Sequence, residues 1–172
     1  MAAQKTSLQK LTELLVLVML GIILNVFDWI LALLPNIELV TPLLIVYTYK
    51  FRSRALISAY VYTFLEIITH GISIWNIMYL YVWALLVLLM LPLTKIGNKK
   101  IAVAVLSIAA GLYGLGFGTL CSIPYFFAET PAFAVSWIVS GFTFDLIHAV
   151  SNFVTTLLLY IPLTKVLDKV KI

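Results

Sequence analysis

Charge is what this chain has least of. Of 172 residues only 7 are acidic and 11 basic, together 10%, against about 25% in an ordinary soluble domain. So few charges cannot coat a globule in water, which excludes a soluble enzyme or a soluble binding module. Cysteine is nearly absent as well: Cys121 stands alone, so no intramolecular disulfide can form. Set in an apolar run, it reads as a small packed residue rather than a reactive thiol.

The motifs of several chemistries are missing too. There is no GxxxxGK[ST] phosphate loop, so the chain does not hydrolyse ATP by that means. HExxH, CxxC and GxSxG are absent. Asp28 and Asp145 could be forced into an aspartyl pair, but neither lies in a supporting motif. No cofactor is expected. The net charge of +4 would suggest nucleic acid in a soluble protein. Here the basic residues sit in short clusters between apolar runs, a sign of membrane orientation. No nucleic-acid partner is expected.

What the chain does have is apolar length, at 63% hydrophobic residues. After a polar start carrying Lys5 and Lys10, residues 11–34 form a run ample for a hydrocarbon core of about 30 Å. It is too long for the core of a signal peptide and lacks a small-residue cleavage site, so it reads as a retained helix. Pro35-Asn36 ends it. The run from Leu39 to Tyr49 is short, but charge requires it to cross. Lys5 and Lys10 precede the first run, and Lys50, Arg52 and Arg54 follow the second. Both clusters belong on the cytoplasmic side, so an even number of crossings separates them.

Further runs cover about 55–70, 77–94, 101–123 and 142–164, with 72–76 as an outer turn and 124–140 as an outer loop holding a short interfacial helix. The last run ends at Pro162 and a tail with Lys165, Lys169 and Lys171. The expected fold is therefore a single-domain (1–172), all-α integral membrane protein of the lipid bilayer. It has six transmembrane helices, both termini cytoplasmic and a short second helix. All Lys and Arg then lie inside, and Glu38 and Glu129 outside.

Ionisable residues are costly in a bilayer and face a cavity, a partner or a substrate there. Glu66 with His70, and Asp145 with His148, are acid–histidine pairs at helical spacings of four and three, toward the outer ends of their runs. Three readings stand: a divalent metal site, carboxylates bonded to their own neighbours, or anchors for an organic ligand. Asn152 shares the face of Asp145 and His148 a turn deeper and reads as an interhelical hydrogen bond, as do Asn25 and Asp28. Trp75, Tyr79, Tyr81, Trp83, Tyr125, Phe126, Phe127 and Trp137 gather toward the outside, divided between an interfacial belt and a pocket wall. The candidate ligand contacts are Glu66, His70, Trp75, Asn76, Tyr79, Trp83, Tyr125, Trp137, Asp145 and His148.

Several stretches together carry a resemblance: LLPNIELVTP (33–42) before the short second helix, YLYVW (79–83), GLYGLGFG (111–118), GFTFDLIHAVSNF (141–153) and LYIPLTKVL (159–167). With the chain's size and its inside–inside topology, they make it resemble the S components of energy-coupling factor (ECF) transporters, ABC-type vitamin importers of prokaryotic cell membranes. The resemblance implies vitamin capture at the outer face by the outer ends of helices 4–6 and loops 1–2, 3–4 and 5–6. It implies as partners a transmembrane coupling subunit and two ATPase subunits, with release by toppling in the membrane. The general look is nearest to the cobalamin-type members, with pyridoxine or a thiamine precursor next. The AxxxA docking pattern common on helix 1 is missing, and Gly21 is the expected substitute. Two other classes remain open. One is a proton-coupled secondary transporter using Glu66, Asp145 and the histidines. The other is a metal-dependent membrane enzyme built on Glu66, His70, Asp145 and His148.

Overall fold

Helix starts in this chain are written in its polar residues. Thr6 and Gln9 form a reciprocal capping box, Ser73 and Asn98 accept from backbone N–H groups two or three residues on, and Thr130 does so just before Pro131. A computed structural model describes residues 6–34 and 36–170. The expected breaker Pro35 and the basic Lys5 and Lys171 lie outside the described residues. The elements are α1 (Ser7–Leu31), α2 (Val40–Phe51), a 3-10 turn (Arg52–Arg54), α3 (Ala55–His70), α4 (Ile74–Leu93), α5 (Lys99–Leu115), α6 (Phe117–Ser122), α7 (Tyr125–Ala128) and α8 (Pro131–Lys169). There is no strand among the described residues.

The all-helical class is as expected. Among the described residues three helices are long and apolar enough to cross a membrane: α1, α4 and α8. The bent pair of α5 with α6–α7 makes a fourth if taken as one span. Leucines, isoleucines and valines populate the outer surface, while Thr41, Ser58, Ser107, Asn152 and Thr156 are wholly buried. That inversion suits lipid, which gives no hydrophobic push between helices and leaves packing and hydrogen bonds to hold them.

The short α2 is the most enclosed element: Val40 through Thr48 and Phe51 are all buried. A helix of 12 residues is about 18 Å long, and protein encloses most of it. Its neighbours run alternately up and down. Arg54 pairs with Glu13 at the starts of α3 and α1. Arg52 donates to Leu91 O (2.6 Å) and Thr94 Oγ1 (2.7 Å) at the end of α4, and the Tyr49 hydroxyl meets Asp168 at the end of α8. These contacts gather the basic segments of α1, α2, α3, α4 and α8 at one end of the bundle.

Three boundaries differ from expectation. Residues 131–140 are not loop but the first turns of α8, because Thr130-Pro131 starts a helix and nothing after it stops one. Trp75 and Asn76 likewise belong to the first turn of α4. Pro162 does not end α8, which continues to Lys169; a proline costs one backbone bond, and packing on neighbouring helices tolerates it. At 39 residues α8 is about 58 Å long, roughly twice a hydrocarbon core. The fifth run breaks at Gly116, where the axis bends by 41°.

Gly21, the expected docking residue, is turned inward. A Cβ there would stand 2.6 Å from Val61 Cβ and 2.7 Å from Ser58 O, so Gly21 is the close-approach point of α1 on α3. Gly114 plays the same part between α5 and α8, where a Cβ would meet the backbone of His148 and Ala149 at 2.9 Å.

Candidate functional site

At the end of the bundle opposite the basic segments, α1, α3, α4, α6 and α8 diverge around an open cavity of about 540 Å³. That lies within the range of about 300–1,000 Å³ usual for small-molecule sites. Six of the ten candidate residues line it: Trp75, Tyr79, Trp83, Trp137, Asp145 and His148. The aromatic ones come from two helices. Trp75, Tyr79 and Trp83 recur every four residues along one face of α4, and Trp137 leans against Trp75 from α8 with ring centroids 5.8 Å apart. Tyr79 and Trp83 meet edge to face at 5.7 Å, and Phe117 backs Trp83 at 5.5 Å.

The polar side of the cavity is held by bonds that spacing alone did not suggest. Asp145 does not pair with His148. Its Oδ1 accepts from Gly118 N at 2.9 Å, one of the N–H groups freed where α5 breaks. A Cβ on Gly118 would stand 2.5 Å from Asp145 Oδ2, so glycine is what lets the carboxylate approach. His148 Nε2 lies 3.1 Å from Glu38 Oε1, while Glu38 Oε2 accepts from Thr41 N at 2.8 Å as a cap on α2. His148 also meets the Phe117 ring edge to face at 4.7 Å. Asn152 donates to Thr41 Oγ1 at 3.3 Å, an interhelical bond below the cavity.

The other four candidates stand apart from the cavity wall. Glu66 and His70 do bond each other, at 3.2 Å, and Asn25 donates to Glu66 from α1; His70 is more than half exposed. Asn76 donates to Gly71 O and ties the turn between α3 and α4. Tyr125 packs on Trp137 at 4.8 Å, outside the wall. No group of three or more His, Cys, Asp or Glu side chains converges for a metal ion among the described residues.

Sequence reasoning missed Asp28, Glu38, Tyr62, Phe117 and Gly118, all of which line the cavity. Asp28 carried a signal, being an acid near the outer end of an apolar run. Tyr62 and Phe117 carried none, since an aromatic in a membrane helix is ordinary. Comparison with known proteins gives no match: no family model, no curated protein and no solved structure matches this chain.

Proposed function

We propose that this chain captures a small organic solute at the outer face of a membrane, as the substrate-binding S component of an ECF-type importer. The observation that carries the reading is the aromatic cavity with fixed polar groups at the bundle end opposite the basic segments. By the rule that Lys and Arg stay cytoplasmic, that end faces outward. Six crossings with both termini inside fit this orientation: α1, α2, α3, α4, the kinked α5–α7 and α8. Release needs energy from elsewhere, since the chain has no phosphate loop. A coupling subunit and two ATPases would supply it.

Of the vitamins the resemblance implies, the cavity volume favours the smaller. About 540 Å³ holds a pyridoxine or a thiamine precursor, whereas a cobalamin, first in order from sequence, would stand largely outside the walls. The test is reconstitution in liposomes: uptake that requires added coupling and ATPase subunits supports the reading. A proton-coupled transporter is the second reading, favoured by the Asn25–Glu66–His70 cluster beside the cavity. Uptake by the chain alone under a proton gradient would establish it instead.

A further inference from the structure

The charge around the cavity narrows what it can take, and this step rests on the capture reading above. Three carboxylates line the cavity, Asp28, Glu38 and Asp145, with no Lys or Arg on its wall among the described residues. Two are engaged: Glu38 by His148 and Thr41 N, and Asp145 by Gly118 N. Asp28 has the Tyr62 hydroxyl beside it and takes part in none of the ion pairs among the described residues.

A second observation is independent of the acids. Trp83 is almost fully buried and lines the cavity, and its Nε1 completes no hydrogen bond within the described residues. A buried donor left unpaired is costly, so one on a cavity wall favours a ligand that completes its bond. Trp Nε1 only donates, which asks the ligand for an acceptor.

The sign of the ligand follows. An anion would meet three carboxylates, and a neutral molecule would leave Asp28 with only the Tyr62 hydroxyl and His70 near it in a largely apolar enclosure. A cation satisfies Asp28, and the faces of the aromatic walls attract it as well. A bare metal ion does not suit, since no donor set converges for one among the described residues. We infer that the cavity takes an organic cation, a protonated amine or an N-alkylated heteroaromatic ring. Asp28 is its counter-charge, and an acceptor group on the ligand meets Trp83 Nε1.

The test uses the full chain in detergent and calorimetric titration with three probes of one shape: 1-methylnicotinamide (a pyridinium cation), nicotinamide (neutral) and nicotinate (anion). The cation should bind at least ~10-fold more tightly than the neutral probe, a difference of about 1.4 kcal/mol, and the anion most weakly. Asp28→Asn should bring cation and neutral probe to within about twofold of each other, and Asp28→Glu should restore the preference. If Asp28→Asn does not fold, the wild-type ratio decides. Equal or tighter binding of nicotinamide or nicotinate overturns the inference and leaves capture standing. So does a cation preference that survives Asp28→Asn. Binding of none of the three counts against the capture reading itself, and the inference falls with it.

Discussion

His148 on α8 and Glu38 at the foot of α2 are 110 residues apart in sequence and 3.1 Å apart in space. Both are buried, and both line the cavity. The same glutamate caps α2 through Thr41 N, so one side chain joins the α1–α2 connection, the start of the central helix and the cavity wall. The shape of the site and the seating of α2 are thereby one problem.

Glu38→Gln and His148→Gln should therefore be strongly non-additive. Each alone leaves a buried partner unpaired, at a cost of about 1–3 kcal/mol, and the double variant should cost clearly less than the sum. Unfolding of the four proteins in a fixed detergent measures the coupling. Simple additivity would mean the 3.1 Å contact contributes nothing.

Gly118→Ala tests the bend between α5 and α6. The new Cβ would lie 2.5 Å from Asp145 Oδ2, so the carboxylate must leave Gly118 N and the wall must shift. The expected loss is about 1–3 kcal/mol of stability, with weaker ligand binding. Asp145→Ala added to Gly118→Ala should recover part of the stability by removing the clash.

Gly21→Ala separates helix packing from docking. Val61 Cβ at 2.6 Å and Ser58 O at 2.7 Å leave no room on α3, so the melting temperature should fall before any partner is added. Gly97 is the control, because a Cβ there would meet nothing within 4 Å. Gly97→Ala should melt within a degree or so of the wild type, since open surface sites shift stability by under about 0.5 kcal/mol.

Thr41→Val should be mild. Hydrogen bonds between membrane helices average about 0.6 kcal/mol, and the Asn152–Thr41 bond lies below the cavity at 3.3 Å. A small drop in melting temperature with ligand affinity unchanged to within about twofold would mark this pair as scaffold. A large loss of affinity would move the floor of the site down to Asn152.

The helices and the polar face of α8 were legible because both are local. A period of 3.6 puts Asp145, His148 and Asn152 on one side, and all three are buried. The aromatic wall of α4 was legible for the same reason. Partners were not. Of the three readings that acid–histidine spacing left open, self-pairing describes Glu66 and His70 but not Asp145 and His148. There the freed N–H of Gly118 and a carboxylate from another part of the chain compete better. The length of α8 was misread because aromatics and prolines looked like loop, although Thr130-Pro131 is a helix start. Asp28 and Tyr62 meet through the packing of α1 on α3, and no spacing within one helix encodes that.

Native mass spectrometry of the chain purified from its own membrane, alongside Trp83→Leu purified in the same way, tests the central claim most directly. Trp83 forms the middle of the aromatic wall and is buried against Tyr62, Tyr79 and Phe117. Capture predicts one small organic molecule bound per wild-type chain and its loss from the folded variant. A wild-type chain that carries no small molecule, or a variant that carries it equally, would contradict the account.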